Sequence, residues 1–70
     1  MSFQGRKIIV TGAGKGIGEG ITFELVKQGA HVIAISRTAA DIQKLEEKLG
    51  DGITGVTLDI GIRGPIISQI

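Results

Sequence analysis

One stretch of the chain combines residue types and spacings that are suited to binding phosphate. The apolar run at residues 8–10 leads into Thr-Gly-Ala-Gly-Lys-Gly-Ile-Gly at residues 11–18, and a helical pattern follows. A strand that turns through glycines into a helix offers free backbone N–H groups at the positive end of the helix dipole. We expect Gly12 to permit the tight turn, Gly16 to let a pyrophosphate approach the backbone, and Gly18 to let the helix lie close to the sheet.

The spacing of the glycines distinguishes between different kinds of phosphate-binding loop. The dinucleotide pattern G-x-G-x-x-G requires glycine at position 17 or 19, where the chain has Ile17 and Glu19. The P-loop pattern G-x-x-x-x-G-K-[ST] requires glycine at position 9 and a hydroxyl residue at position 16, where the chain has Ile9 and Gly16. The pattern that fits is Thr-Gly-x-x-x-Gly-x-Gly over residues 11–18. A glycine cluster alone can be a flexible turn, so the flanking strand and helix carry much of the prediction.

The segments around this loop alternate between strand and helix patterns. Apolar runs predict buried parallel strands at residues 6–11 and 31–36, and a third strand is predicted at residues 55–59. A β-α-β-α-β order with short turns requires a parallel sheet with right-handed crossovers. We therefore predict an α/β fold at residues 1–60, a Rossmann-type half with a three-stranded parallel sheet in the order 3-2-1. The tail at residues 61–70 is predicted to be irregular, because glycines and a proline interrupt it.

Two amphipathic helices are predicted between the strands. The apolar stripe of the first is Ile17, Ile21, Leu25 and Val26, and that of the second is Ile42, Leu45 and Leu49. Gly29 is placed to end the first helix in the left-handed conformation, and residues 50–52 are placed to end the second. Thr38 is expected to cap the second helix, with Asp41 three residues later to meet the first-turn amides.

The composition indicates one small unit with no strong charge. Seventy residues, 41% of them hydrophobic and only two aromatic, predict a marginally stable core. The absence of cysteine excludes a disulfide framework and suits the cytoplasm, which is the location we expect. The formal net charge of +1 favours neither nucleic acid nor an anionic membrane as a partner. The apolar tail is too short and too interrupted to span a bilayer, and we predict no metal site.

The end of the second strand predicts which dinucleotide the loop would bind. In a dinucleotide-binding half, an acidic residue about 20 residues past the glycines pairs with the ribose hydroxyls and repels a 2′-phosphate. Here that position holds Ser36-Arg37-Thr38, none of which is acidic. Arg37 can form a fork of hydrogen bonds to a 2′-phosphate, and the two neighbouring hydroxyls can donate to it. Lys15 could add positive charge from the glycine loop, so these residues predict NADP(H) as the cofactor.

Each of these residues also has an ordinary structural explanation when it is considered alone. Lys15 can be a solvated loop charge, Arg37 can be a strand-end residue, and Thr38 caps a helix whether or not a ligand exists. Asp59, at the end of the third strand, can accept a hydrogen bond from the adenine amine or cap the chain where it leaves the sheet. The combination of Lys15 with Arg37 and Thr38 is what favours NADP(H).

Residues 7–18, 34–38 and 56–60 together resemble the start of a short-chain dehydrogenase/reductase. The resemblance covers about residues 3–60. Gly-Lys-Gly-Ile-Gly combined with Ser-Arg-Thr is similar to the NADP(H)-preferring group of L-xylulose (dicarbonyl) reductases and tetrameric carbonyl reductases. The resemblance implies hydride transfer to carbonyls such as α-dicarbonyls or ketosugars, and full-length relatives that are homotetramers. It implies cofactor contacts at Gly12, Lys15, Ile17, Arg37, Thr38, Asp59 and Ile60.

The catalytic residues of that family are missing from this sequence. The family protonates the carbonyl oxygen with the tyrosine of Tyr-x-x-x-Lys, assisted by a serine and an asparagine, whereas this chain contains no tyrosine and no asparagine. After Ile60 the family expects a third amphipathic helix, which the tail does not supply. We therefore predict a truncated cofactor-binding segment with no catalytic residues and no reductase turnover of its own.

Two other kinds of function stay open. The first is a binding module that holds NADP(H), or covers another subunit, without chemistry. The second is an interaction module or a non-functional product, because an apolar first strand without a fourth strand beside it would expose an edge that invites association. A methyltransferase-like nucleoside site is disfavoured, since Ser36 and Arg37 replace its usual acidic residue.

Overall fold

The computed structural model describes residues 3–14, 16–58 and 67–69. Strands and helices alternate in it as the sequence predicts. In chain order the elements are β1 (Lys7–Thr11), α1 (Gly16–Lys27), β2 (His31–Ser36), α2 (Ala39–Leu49), a 3-10 turn (Gly50–Gly52), β3 (Ile53–Thr57) and β4 (Ile67–Gln69). The prediction of a Rossmann-type α/β fold is confirmed.

The three long strands form a parallel sheet. β1 pairs with β2 from Lys7 opposite His31 to Thr11 opposite Ile35, and the pairing of β2 with β3 ends at Ser36 opposite Thr57. β2 therefore lies between β1 and β3, which confirms the predicted order 3-2-1. Because the strands run in one direction, their carboxyl ends meet at one edge of the sheet.

The sheet contains one strand more than the sequence predicted. β4 pairs antiparallel with β1 on the side away from β2, with Val10 opposite Ile67 and Ile8 opposite Gln69, so the sheet order is β3-β2-β1-β4. The prediction of an irregular tail is therefore corrected at residues 67–69, and β1 is paired along the edge that we expected to be bare. An open strand edge carries unpaired N–H and C=O groups that any extended segment within reach can satisfy. Three residues are too few for a periodic pattern to reveal such a strand.

Both helices pack against one face of the sheet and enclose a single core. Side chains of successive strand residues point to opposite faces, and alternate residues of β1 and β2 are buried. The buried apolar residues are Ile8, Val10, Ala13, Ala30, Val32, Ala34, Ile42, Leu45 and Ile53. Ile21, Leu25 and Val26 of α1 pack against this cluster, as does Leu49 of α2. The apolar stripe predicted for α2 is therefore correct.

The stripe predicted for α1 is wrong at its first position. Ile17 is 74% exposed, while Gly18 and Thr22 are the buried residues of this helix. The helix meets the sheet edge through a glycine, so its buried face lies one residue later than apolar spacing suggests. The Thr22 hydroxyl can be buried there because it donates to the Gly18 carbonyl oxygen at 2.8 Å. Such bonding to the preceding turn satisfies a polar group that the sequence pattern treats as surface.

Two predicted helix ends have different outcomes. Gly29 ends α1 with a φ of 95°, and the N–H groups of Gly29 and Ala30 donate to the Val26 and Leu25 carbonyl oxygens at 3.0 Å each. This is the Schellman arrangement, and it confirms the predicted role of Gly29. Thr38 occupies the N-cap position of α2, but its side chain makes no capping hydrogen bond, so that part of the prediction is wrong.

β3 begins two residues earlier than predicted and also ends earlier. It spans Ile53–Thr57 rather than residues 55–59. Ile53 is buried in the core opposite Val32, directly after the 3-10 turn. The connection between α2 and β3 is shorter than the predicted strand bounds require, because the 3-10 turn takes up only three residues.

Candidate functional site

The candidate site lies at the carboxyl edge of the parallel sheet, where three connecting segments are held together by backbone hydrogen bonds. The Ala13 N–H donates to the Ile35 carbonyl oxygen at 3.1 Å, which joins the glycine loop after β1 to the end of β2. The Leu58 N–H donates to the Ser36 carbonyl oxygen at 2.8 Å, which joins the end of β3 to β2. Ligands of open α/β sheets bind at this edge.

The glycine loop has the geometry that its sequence predicts. Gly12 and Gly16 have φ angles of 66° and 53°, in the left-handed region that glycine adopts without steric cost. A Cβ placed on Gly16 would meet no atom of the described chain within 4 Å. Gly16 therefore faces open space at the start of α1, which fits the predicted approach of a pyrophosphate. The first four N–H groups of an α-helix lack acceptors within the helix and can donate to such a group.

Gly18 is required for a different reason, which is close packing. A Cβ on Gly18 would overlap the carbonyl oxygen of Gly12 and would lie 2.8 Å from its carbonyl carbon. The first turn of α1 therefore rests directly on the backbone of the turn after β1. This is the close approach of helix and sheet that the sequence predicts for this glycine.

The turn after β2 contains one buried and two exposed residues of the predicted set. Ser36 is 7% exposed, and its hydroxyl donates to the Asp41 Oδ2 at 3.4 Å and accepts from the Thr38 N–H at 3.4 Å. Arg37 and Thr38 are exposed. Because the Thr38 hydroxyl does not cap α2, it is not committed to the helix N-terminus. The guanidinium and this hydroxyl are therefore the groups of the turn that a ligand can reach.

The sequence reasoning missed one residue of this region as part of the site. Asp41 was expected only to support the start of α2, yet it is 8% exposed and packs against the glycine loop. A Cβ on Gly14 would overlap the Asp41 Cβ and would lie 3.1 Å from its Oδ2. An acidic residue in a first helical turn is ordinary in sequence, and only the packing against Gly14 reveals this contact.

The structure brings most of the predicted site residues to one edge of the sheet. Gly12, Gly16 and Gly18 line the first connection, and residues 36–38 line the second. Ile17 is exposed beside the open glycine, where an apolar side chain is available to a ligand. Lys15, Asp59 and Ile60 lie outside the described residues.

Two kinds of feature are absent from the described residues. Neither helix combines the length and the hydropathy that a membrane span requires. Within residues 3–14, 16–58 and 67–69, no group of three His, Cys, Asp or Glu side chains is placed to hold a metal ion.

A glycine turn, an open helix N-terminus and a polar turn at one edge of a parallel sheet define a nucleotide-binding β-α-β-α-β unit. The chain belongs to the short-chain dehydrogenase family, whose sequence model matches residues 6–67. The predicted family is therefore confirmed, and the match continues past residue 60.

Two curated reductases illustrate the similarity in sequence. The chain is 50% identical over 60 residues to D-erythrulose reductase of Gallus gallus, covering 86% of this chain and 24% of that protein. It is 49% identical over 57 residues to L-xylulose reductase of Homo sapiens, covering 81% of this chain and 23% of that protein. The chain thus spans about a quarter of the length of these relatives.

Two solved structures illustrate the similarity in fold. The 3-ketoacyl-(acyl-carrier-protein) reductase of Brucella melitensis, complexed with NADH, matches with a TM-score of 0.81 and 36% identity over 84% of this chain and 24% of that one. The L-sorbose reductase of Gluconobacter frateurii, complexed with NADPH and L-sorbose, matches with a TM-score of 0.72 and 29% identity over 83% of this chain and 24% of that one. Nicotinamide dinucleotides of both kinds therefore occur in similar folds.

Proposed function

We propose that this chain is the NADP(H)-binding segment of a short-chain reductase of the carbonyl or L-xylulose type. The observation that carries the proposal is that Gly16, with open space beside it, and the exposed residues Arg37 and Thr38 lie at the same edge of the sheet. The backbone at Gly16 would bind the pyrophosphate that NAD and NADP share. Arg37 and Thr38 would bind the 2′-phosphate that only NADP carries.

The charge of the second turn supports NADP(H) over NAD(H). A guanidinium forms forked, charge-assisted hydrogen bonds to phosphate, and Arg37 is exposed where an NAD-binding unit would have a carboxylate. The one acidic side chain described next to this turn, Asp41, is buried and accepts from Ser36. In this proposal Arg37 and Thr38 contact the 2′-phosphate, and Ser36 holds the turn.

The remaining predicted contacts complete the proposed site. Lys15 would add positive charge from the glycine loop, and Ile17 would give the cofactor an apolar contact from its exposed position. Asp59 and Ile60 follow β3 and would contact the adenine side. When bound, the dinucleotide would supply or accept a hydride, and the residues of this chain would hold and orient it.

The chemistry of the whole protein is proposed from its relatives. D-erythrulose, L-xylulose and L-sorbose reductases are named for ketosugars, so the proposed substrates are small carbonyl compounds of that class. Carbonyl reduction needs a general acid within hydrogen-bond reach of the oxygen, and these 70 residues contain no tyrosine. We expect no turnover from this chain alone. Cytoplasmic location and tetrameric assembly of the whole protein are further parts of this proposal.

The proposal is tested by titrating the purified chain with NADPH and with NADH, following the fluorescence of the reduced nicotinamide. Arg37→Ala should weaken NADPH binding about 10- to 100-fold, because charge-assisted hydrogen bonds contribute about 1.5–3 kcal/mol. Its effect on NADH should stay within about twofold. Arg6→Ala is the matched control, since Arg6 is also exposed but precedes β1 at the opposite edge of the sheet. Equal affinity for both nucleotides, or equal losses in Arg37→Ala, would contradict the proposal.

A further inference from the structure

Asp41 lies between the two connections that form the candidate site. Its Oδ2 accepts a hydrogen bond from the Ser36 hydroxyl at 3.4 Å, on the side of the turn after β2. On its other side the Asp41 side chain packs against Gly14 of the glycine loop, so closely that a Cβ on Gly14 would overlap the Asp41 Cβ. One buried side chain thus contacts both parts of the site.

The same residue also fixes the backbone of the turn. The Thr38 N–H donates to the Ser36 hydroxyl, which in turn donates to Asp41. The Thr38 carbonyl oxygen accepts from the Asp41 N–H at 3.2 Å. Both peptide groups of Thr38 are therefore tied to Asp41, directly or through Ser36. Arg37 lies between Ser36 and Thr38, so this arrangement sets the direction of the Arg37 backbone.

We propose that Asp41 is a positioning residue that holds the Arg37–Thr38 turn against the glycine loop and thereby sets the preference for a 2′-phosphate. This inference rests on the proposed function. The two phosphate-binding parts of the site must keep a fixed separation in order to contact one dinucleotide at two places. Asp41 provides that spacing, since it is the residue in contact with Gly14 on one side and Ser36 on the other.

The side chain at position 41 supplies the acceptor for Ser36, and its contact with Gly14 leaves no room for a side chain at position 14. A Cβ on Gly14 would overlap the Asp41 Cβ. An alanine would leave the buried Ser36 hydroxyl without its acceptor, which is costly for a buried polar group. An asparagine has the shape of aspartate and keeps an oxygen acceptor. These differences allow a positioning role to be separated from a general loss of structure.

The test measures dissociation constants for NADPH and NADH in five variants of the full 70-residue chain, one of which is Arg37→Ala alone. Asp41→Ala should weaken NADPH binding about tenfold while changing NADH binding less than about twofold. Asp41→Asn should restore NADPH binding to within about threefold of the original. Asp51→Ala is the matched control, because Asp51 is exposed in the 3-10 turn away from the site. The double variant Arg37→Ala/Asp41→Ala should bind NADPH no more weakly than Arg37→Ala alone.

The outcomes separate this inference from the proposed function. The positioning role would be overturned if the affinity losses of Arg37→Ala and Asp41→Ala added up in the double variant. It would also be overturned if Asp41→Ala weakened the binding of NADPH and NADH equally. Either result would leave the proposed cofactor site in place. Unchanged NADPH binding in Asp41→Ala would overturn the positioning role as well. If the unmodified chain bound neither nucleotide, the proposed function would fail first and the inference with it. The positioning role would be established by three results together: Asp41→Ala loses affinity for NADPH alone, Asp41→Asn keeps that affinity, and Asp41→Ala causes no further loss when Arg37 is already alanine.

Discussion

The two helices of this chain begin at the same edge of the sheet, but their first turns are built differently. α1 begins at Gly16, a left-handed glycine with open space beside it. At the start of α2, two polar side chains are buried, Ser36 before the helix and Asp41 in its first turn, and the side chains of Arg37 and Thr38 between them are exposed. The start of α1 therefore offers backbone N–H groups to a ligand, and the start of α2 offers side chains.

This difference indicates how one edge can bind a common group and still discriminate between ligands. Backbone N–H groups at a helix N-terminus can donate to any phosphate within reach, so in the proposed function the α1 end would bind the pyrophosphate that both nicotinamide dinucleotides share. Side chains can change by substitution without moving the backbone, so the α2 end suits the part of the cofactor that varies. We therefore expect changes near α1 to affect all nucleotides and changes near α2 to affect one.

The largest effect is expected where α1 rests on the glycine turn. Gly18→Ala should lower the free energy of unfolding by about 3 kcal/mol, because its Cβ would overlap the Gly12 carbonyl oxygen and force the helix away from the sheet. Gly20→Ala, two residues along the same helix, meets no atom within 4 Å and should raise stability by about 0.5–1 kcal/mol. Urea unfolding followed by circular dichroism measures both. Equal effects of the two substitutions would show that the close approach at Gly18 is not needed.

A smaller and different effect is expected at the open glycine. Gly16→Ala meets no neighbouring atom, but its φ of 53° should cost about 1–2 kcal/mol of stability. The added methyl would also obstruct the approach of a phosphate, so affinity for NADPH and for NADH should fall together by roughly tenfold. A titration with both nucleotides checks this result. A loss of affinity confined to NADPH would show that the 2′-phosphate is bound at the start of α1, and the proposed assignment to the turn before α2 would be wrong.

The smallest effect is expected at the N-cap of α2. Thr38→Ala should change the free energy of unfolding by less than about 0.5 kcal/mol, below the roughly 1 kcal/mol lost when a working cap is removed, because the Thr38 side chain makes no capping hydrogen bond. Its NADPH affinity should fall by a few-fold, while NADH affinity is unchanged. Thermal unfolding and the same titrations measure the two quantities. A stability loss above 1 kcal/mol would mean that the hydroxyl caps the helix after all.

The long, continuous patterns of the sequence predicted most of the fold. The strands predicted at residues 6–11 and 31–36 agree with β1 and β2 almost to the residue, and the spacing of Ile42, Leu45 and Leu49 identifies the buried face of α2. The glycine spacing predicted the tight turn at Gly12, the open position at Gly16 and the close helix–sheet contact at Gly18. These features are local, because each depends on residues that are near one another in sequence.

The features that sequence could not predict depend on contacts between distant segments. The carboxyl group of Asp41 is buried because Gly14, 27 positions earlier, leaves room for it. The exposure of Ile17 follows from the way Gly18 seats α1 on the Gly12 carbonyl, which apolar spacing does not record. β4 exists by pairing with β1 about 60 residues away in sequence, and its three residues carry no periodic signal.

The central claim is that one sheet edge binds a nicotinamide dinucleotide through two separate turns. An amide-resolved NMR titration of the purified chain, first with NADPH and then with NADH, tests it most directly. We predict dispersed spectra with saturable shifts at Gly12, Gly16 and Arg37 for NADPH, and shifts for NADH that are weaker and confined to the glycine loop. Collapsed spectra that respond to neither nucleotide, or shifts at Arg37 that are equal for both, would contradict the account.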